Sequence, residues 1–234
     1  MKAFTSLIFV ASLSSVLAEP LGAAAEEPAH DHAATAPTSE DVRCVPVEQR
    51  AGKRLGCYVL ARETLGELPD APVYWHLYEY PSREAADSAR GKRGSVIESY
   101  GKVWLLNVAD ANWSAAGGKK VARVGPLPLA HGGSWTAVFM EATFMPGMKS
   151  QVHRHPGPEA WYVLKGEQCL ETPDRKAVVR AGESGIVPEG PPMMLTGIGT
   201  GERRSLVLIL HDSAKPMTLP ATDWTPTGSC LKSR

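Results

Sequence analysis

Two histidines and a glutamate at short spacing are the residues of this sequence best suited to chemistry. His153 and His155 are separated by one residue, and Glu159 follows the segment Pro156-Gly157-Pro158. Side chains alternate along a β-strand, so both imidazoles should project from one face, about 7 Å apart. The Pro-Gly-Pro segment should end that strand and turn the chain, so that Glu159 opens the next strand and returns its carboxylate to the imidazoles. Two neutral nitrogens and one carboxylate oxygen suit a divalent first-row metal.

Two glycines flank this set. Gly147 comes before His153 with five residues between them, and Gly166 comes after Glu159 with six residues between them. The whole stretch resembles the first conserved motif of the cupin superfamily, G-x5-H-x-H-x3-E-x6-G, at every position. The resemblance implies a mainly β fold, a cupin (jelly-roll) β-barrel, with a divalent metal ion (Fe, Mn, Zn, Ni or Cu) bound by His153, His155 and Glu159.

The second cupin motif, G-x5-P-x-G-x2-H-x3-N, is incomplete in this chain. Gly182, Pro188 and Gly190 fall at the expected positions, but Met193 replaces the histidine and Gly197 replaces the asparagine. Three consequences stay open. The first-motif residues could hold the metal alone, with water in the open positions, or the Met193 thioether could be a ligand and favour copper. Alternatively, Met193 is only apolar lining, and the site binds metal weakly or not at all.

Further candidates lie near the first motif and at the end of a later strand. Gln151 shares the alternation face of His153 and could contact the histidines or a ligand. His211 ends the apolar run 206–210 and could supply a replacement nitrogen, although a strand-end histidine without a ligand role is the commoner case. The sequence identifies no catalytic residue and no general base apart from Glu159. Four apolar side chains could line a mouth that suits a weakly polar ligand: Trp161, Val163, Met193 and Leu195.

Short strands with regular Gly and Pro punctuation surround the motifs, which is typical of an all-β barrel. We predict that the barrel spans residues 125–214, with a long strand over 135–144 that leads into the first motif. Residues 42–124 are predicted to form a small α+β N-terminal region. It should contain a short helix capped by Ser82 and a hairpin that turns at Gly101.

The ends of the chain indicate export. Residues 1–18 resemble a signal peptide, because Lys2 precedes an apolar stretch that ends in small residues. Residues 19–41 are rich in Ala, Pro and Glu and are predicted to be a disordered linker. Residues 215–234 are assigned as a C-terminal tail. After signal removal no segment is long and apolar enough to span a membrane, so a secreted or periplasmic protein is expected.

The four cysteines agree with export. They allow three pairings. Cys44 and Cys57 flank a turn-like stretch, so a hairpin could bring them together, which leaves Cys169 to meet Cys230. The alternative, free buried thiols in a reducing compartment, conflicts with the leader sequence.

The charge balance of the chain gives no indication of a nucleic-acid-binding function. Lys+Arg and Asp+Glu both number 25, so the net charge is zero and no nucleic-acid partner is indicated.

The cupin fold does not by itself determine which reaction a protein catalyses. The main hypothesis is a metal-dependent cupin, an oxygenase or related enzyme that acts on a small organic substrate. The alternative is a non-catalytic cupin module that binds a small molecule or a metal. The resemblance also makes a homodimer an expectation.

Overall fold

The computed structural model describes residues 42–129 and 133–232. The predicted signal peptide (1–18) and linker (19–41) therefore lie outside the described residues. Within the described part, no helix has both the length and the apolar character needed to cross a bilayer. The prediction of a mainly β fold is confirmed.

The described residues form fifteen strands, two α-helices and one 3₁₀ turn. The first half contains β1 (Cys44–Pro46), a 3₁₀ turn (Val47–Arg50), β2 (Gly56–Glu67), β3 (Tyr74–Tyr80), α1 (Arg83–Ala89), β4 (Gly94–Ser99), β5 (Lys102–Ala109) and β6 (Lys119–Val124). The second half contains β7 (Ser134–Phe144), β8 (His153–Arg154), β9 (Glu159–Lys165), β10 (Glu167–Glu171), β11 (Lys176–Arg180), β12 (Ser184–Val187), β13 (Met194–Ile198), β14 (Arg203–Asp212), β15 (Leu219–Pro220) and α2 (Ser229–Lys232).

The helix and the hairpin predicted for the N-terminal region are confirmed. The Ser82 hydroxyl accepts a hydrogen bond from the Ala85 amide at 3.2 Å and caps α1. Tyr100 and Gly101 both have positive φ, 54° and 72°, and they join β4 to β5. A two-residue turn with both φ values positive matches the right-handed twist of the strands that it connects.

The largest sheet carries one of the candidate ligands and the floor of the site. Its six strands run in the order β1-β2-β7-β14-β9-β12. Alternate side chains of β7, β9 and β14 point into one apolar core, which includes Met140, Phe144, Trp161, Val207 and Ile209. This inner core lies on the same face of the sheet as Glu159, the candidate metal ligand in β9.

The other face of this sheet packs against a second sheet, with the strand order β4-β5-β3-β6. Phe139 and Leu208 from the large sheet share a core with Trp75, Trp104 and Leu106 from the second one, and all five are almost fully buried. Each large apolar side chain buried in this way contributes roughly 1.5–3 kcal/mol. The second sheet therefore stiffens the strands that position the site.

The arrangement of the strands differs from the predicted barrel in two respects. Among the described residues, the strands form separate ladders, including β11-β10-β13 and β15-β8, rather than one closed ring. In addition, β1 and β2 fall within the predicted region 42–124, yet they belong to the same sheet as β7 and β14 of the predicted barrel 125–214. Local patterns define where strands are, whereas pairing depends on contacts between distant parts of the chain.

Two disulfides join Cys44 to Cys57 and Cys169 to Cys230. The proposed pairing is therefore present, but the hairpin expected for the first pair is wrong. Strands β1 and β2 are parallel, with Cys44 directly opposite Cys57. The 3₁₀ turn and the residues after it bring the chain back, so that β2 starts beside the beginning of β1. The second disulfide fastens the C-terminal helix α2 to β10.

Candidate metal centre

Short backbone ladders hold the two motif strands in place. His153 in β8 lies opposite Pro220 of β15 on one side and pairs with the backbone of Met193 on the other. Glu159 is the first residue of β9 and lies opposite Ile209 of β14. The first-motif residues are thus fixed between the large sheet and the C-terminal segment.

The Pro-Gly-Pro turn between them lies tightly against the end of β14. The Pro156 carbonyl accepts a hydrogen bond from the Asp212 amide and the Pro158 carbonyl accepts one from the Leu210 amide, each at 3.0 Å. Gly157 has a φ of 150°, and a Cβ atom there would lie 2.0 Å from the Leu210 carbonyl oxygen. Only glycine permits this approach, which sets the spacing between the histidine and the glutamate on either side.

Backbone carbonyls orient both imidazoles. His153 Nδ1 lies 2.7 Å from the Gln151 carbonyl oxygen, and His155 Nδ1 lies 2.7 Å from the Met217 carbonyl oxygen. A carbonyl only accepts hydrogen bonds, so each Nδ1 carries the proton and donates it. When neutral, each ring therefore keeps a free lone pair on Nε2, which is the usual arrangement of metal-binding histidines whose other ring nitrogen donates to a carbonyl.

The two Nε2 atoms converge on the carboxylate of Glu159. Glu159 Oε2 lies 3.1 Å from His155 Nε2 and 3.7 Å from His153 Nε2, and the three ligand atoms lie within 4.8 Å of one another. Two atoms that each bind one ion at about 2.1 Å are about 3.0 to 3.4 Å apart at octahedral or tetrahedral angles. His155 Nε2 and Glu159 Oε2 are buried and have no hydrogen-bond partner outside the cluster. The cluster therefore has the composition and approximate spacing of a metal site.

Burial and mutual attraction oppose each other in this cluster. Burial raises the pKa of Glu159, but His153 and His155 outweigh it and lower that pKa to about 2. Burial also lowers the pKa of His153, but hydrogen bonding and attraction to the Glu159 carboxylate give a net rise. Without a metal, the carboxylate stays ionised and the proton is retained on His153 more strongly than on a free histidine.

A cavity of about 330 Å³ opens beside the cluster. This volume is at the lower end of the range for small-molecule pockets, about 300–1,000 Å³. Besides the three candidate ligands, its polar lining consists of Arg43, Ser150, Gln151, Arg203 and Thr218. Its apolar lining includes Met140, Ala142, Phe144, Leu195, Val207, Ile209 and Met217. The site is thus an apolar chamber with a few polar groups, as small-molecule sites usually are.

The other candidate residues differ in where they lie. Gln151 lines the cavity, and its side-chain oxygen accepts a hydrogen bond from Arg43 Nε at 2.5 Å. Met193 is 1% exposed and packs in the inner apolar core, not on the cavity wall. His211 lies outside the cluster, and its Nδ1 donates to the Asp212 carbonyl at 2.8 Å. The structure thus brings the three candidate ligands of the first motif together without His211.

Some expectations about the lining differ from the structure. Of the apolar residues expected at the mouth, only Leu195 lines the cavity, whereas Trp161 and Val163 are fully buried in the core. Sequence reasoning missed Arg203, although the alternation 203, 205, 207, 209 along β14 shows that it shares a face with Val207. It also missed the C-terminal segment that carries Met217, because no local pattern links that segment to a histidine 62 residues away.

Residues 140–203 match the family model described as a cupin domain. The matched segment contains the first motif and the incomplete second motif. It covers well under half of the chain, so β1 to β6 lie outside it. No curated protein matches this chain.

Several solved structures resemble parts of the chain. A cupin superfamily protein from Desulfitobacterium hafniense is 20% identical over 32% of this chain and 68% of its own, with a TM-score of 0.30. An RmlC-like cupin family protein from Methanocaldococcus jannaschii is 18% identical over 31% of this chain and 67% of its own, with a TM-score of 0.30. An oxalate oxidase is 26% identical over 36% of this chain and 46% of its own, with a TM-score of 0.32. The match thus spans less than half of the oxalate oxidase.

Proposed function

We propose that this protein binds a divalent metal through His153 Nε2, His155 Nε2 and a Glu159 oxygen, and acts on a small organic substrate in the adjoining cavity. One observation carries the proposal. Both histidines are fixed by backbone acceptors at Nδ1, so that their free Nε2 atoms face a buried carboxylate. Two of the converging atoms have no hydrogen-bond partner outside the cluster. Burying unpaired polar atoms is costly, and a bound cation would remove that cost.

The donor set limits the choice of metal. Imidazole and carboxylate suit Fe, Mn, Zn, Ni or Cu, whereas Mg²⁺ and Ca²⁺ prefer oxygen ligands alone. Three protein ligands are fewer than the four to six that such ions take, which leaves positions for water or substrate. A bound ion would supply Lewis acidity, or redox chemistry where the metal is redox-active, as in an oxygenase. The chain's own part is to orient the three ligands and to surround the substrate with apolar side chains that limit the access of water.

A second function, from a different class, is a non-catalytic cupin module that binds a small molecule or a metal. It is favoured by Met193, which packs in the core where the second motif has a histidine. It is favoured also by the cavity lining, because no carboxylate other than Glu159 lines the described cavity. An enzyme would then have to take its acid–base chemistry from the metal site or from the substrate.

We further propose that the protein is exported to the periplasm or secreted. The two disulfides are consistent with an oxidising compartment. The signal peptide over residues 1–18 and the homodimer stay predictions.

Metal analysis of the purified protein tests the proposal. We expect about one divalent ion per chain in the wild type and loss of that ion in the variants His153→Ala and Glu159→Gln. His211→Ala is the matched control, because it removes a buried histidine that lies outside the cluster, and it should keep its metal. A metal content well below one per chain after reconstitution would overturn the proposal. Retained small-molecule binding in metal-free protein would then favour the non-catalytic module.

A further inference from the structure

Arg203 is a buried cation at the wall of the candidate site that the metal ligands do not account for. Its side chain lines the cavity, and the residue is 1% exposed. The neighbouring Arg204 points the other way and pairs with Glu202 at 2.6 Å. The two adjacent arginines thus have different environments, one ion-paired near the surface and one enclosed beside the cavity.

The contacts of Arg203 are with neutral groups. Its Nη1 donates to the Ser205 hydroxyl at 2.5 Å and to the Ala142 carbonyl at 3.3 Å, and its guanidinium carbon lies 4.2 Å from the centre of the Phe144 ring. Its Nε is buried and has no hydrogen-bond partner. Among the described residues, no carboxylate lies within ion-pair distance of this guanidinium. A buried charge of this kind is strongly unfavourable unless an anion compensates it.

The only carboxylate on the described cavity wall is that of Glu159, and the proposed metal would neutralise it. Without a metal, the negative charge of Glu159 partly offsets Arg203. Burial lowers the pKa of the Arg203 guanidinium to about 10 in spite of the smaller upward effects of Tyr100 and Glu159. Binding of a divalent cation adds two positive charges to the same enclosed space. The site then carries an excess of positive charge, which an anionic ligand would balance.

We propose that Arg203 recognises the carboxylate of a small organic acid whose apolar body contacts Met140, Leu195, Val207 or Ile209. This inference rests on the proposed function and names the class of ligand for the same site. The planar guanidinium suits a carboxylate, because its N–H groups can donate two parallel hydrogen bonds. The inference also changes the expected ligand from a weakly polar molecule to an organic acid, since the cavity combines an apolar wall with a buried cation.

Benzoate and its neutral isostere benzamide test the inference. Isothermal titration calorimetry is performed with each compound on zinc-loaded wild type, on Arg203→Met and on the matched control Arg204→Gln. We expect benzoate to bind the wild type and Arg204→Gln about 10- to 100-fold more tightly than benzamide, which is the range for hydrogen bonds to charged groups. In zinc-loaded Arg203→Met the preference should become weaker, while the unfolding temperature shows whether that variant is folded.

The titrations of the wild type and of Arg203→Met are repeated after removal of zinc with EDTA, because a carboxylate can also bind zinc directly. In metal-free protein the preference for benzoate should become weaker but persist in the wild type, and it should disappear in Arg203→Met. The wild-type comparison decides the matter even if Arg203→Met does not fold. Equal affinities of the metal-free wild type for the two compounds, no binding of benzoate, or a preference that survives in metal-free Arg203→Met would overturn the inference. If the protein binds zinc but shows no preference for benzoate, only this inference is contradicted. If zinc does not bind to the protein at all but benzoate is still preferred, the proposed metal function is contradicted and the role of Arg203 stays intact.

Discussion

His153 and Met193 lie directly opposite each other in an antiparallel backbone pair. The His153 amide donates to the Met193 carbonyl at 3.2 Å, and the Met193 amide donates to the His153 carbonyl at 2.8 Å. Directly opposed residues project their side chains to the same face, with Cβ atoms about 4.5–5.5 Å apart. The position at which the second cupin motif has a histidine is therefore next to a first-motif ligand, although the methionine itself packs in the apolar core.

The variant Met193→His should add a fourth ligand to the cluster. We expect zinc affinity to rise about tenfold or more, because changes beside metal ligands already alter affinity by about 10–100-fold. The metal-free protein should lose about 1–3 kcal/mol of stability, since a polar ring replaces an apolar side chain in the core. Competition with a chelator measures the affinity, and denaturant unfolding measures the stability. Met194→His on the opposite face is the control. If both variants lose stability without a gain in affinity, residue 193 does not reach the site.

Gly157→Ala should disrupt the turn that joins the two halves of the first motif. The new Cβ atom would lie 2.0 Å from the Leu210 carbonyl oxygen, so the turn or the end of β14 has to move. We expect a lower unfolding temperature and loss of bound metal. Gly147→Ala is the matched control, because Gly147 also has positive φ but has nothing within 4 Å of its Cβ position. That variant should bear only a backbone strain of about 1–3 kcal/mol and keep its metal. Equal effects of the two substitutions would contradict this account.

Sequence patterns predicted local features well and long-range pairings poorly. Ser82 and Gly101 mark a helix start and a turn through chemistry that involves only neighbouring residues, so both could be read from the sequence. The three candidate metal ligands could be read as well, because one strand–turn–strand unit contains them all. Arg203 was missed because a charged residue at the start of a strand usually faces solvent. The contact of Met217 with His155 was missed because it joins distant segments.

The two disulfides should stabilise the protein unequally. The cysteines are 61 residues apart in the pair Cys169–Cys230 and 13 apart in the pair Cys44–Cys57. The lost entropy of the unfolded chain gives about 4 kcal/mol of stabilisation for the longer loop and about 3 kcal/mol for the shorter one. We therefore expect the double variant Cys169→Ala with Cys230→Ala to lose more stability than Cys44→Ala with Cys57→Ala.

The longer disulfide should also affect metal binding. It fastens the end of the chain, and the segment before it supplies the Met217 carbonyl that orients His155. Loss of this disulfide should therefore weaken zinc binding at a temperature at which the variant is still folded. Denaturant unfolding and chelator competition on both double variants provide the measurements. A larger loss of stability from removal of the shorter loop would show that the entropy of the unfolded chain does not govern the difference.

The stability of the metal-free protein should depend on pH through Glu159 and His153. The pKa of Glu159 falls from 4.5 to about 2 on folding, so its stabilising contribution is fully present above pH 4.5 and is lost as the pH falls toward 2. The pKa of His153 rises above 6.5 on folding, so its contribution is present below pH 6.5 and is lost as the pH rises through the folded value. These two groups therefore favour a stability maximum of the metal-free protein between about pH 4.5 and 6.5.

NMR titration of the His153 ring in metal-free protein measures the second of these effects directly. The wild type should show a midpoint above 6.5. Glu159→Gln removes the carboxylate that raises the pKa but leaves the burial that lowers it, so the midpoint should fall below 6.5. Arg204→Gln, which leaves the cluster intact, should keep the wild-type midpoint. A midpoint for Glu159→Gln equal to that of the wild type would mean that the imidazole and the carboxylate do not interact in solution, and the proposed convergence of ligands would then be wrong.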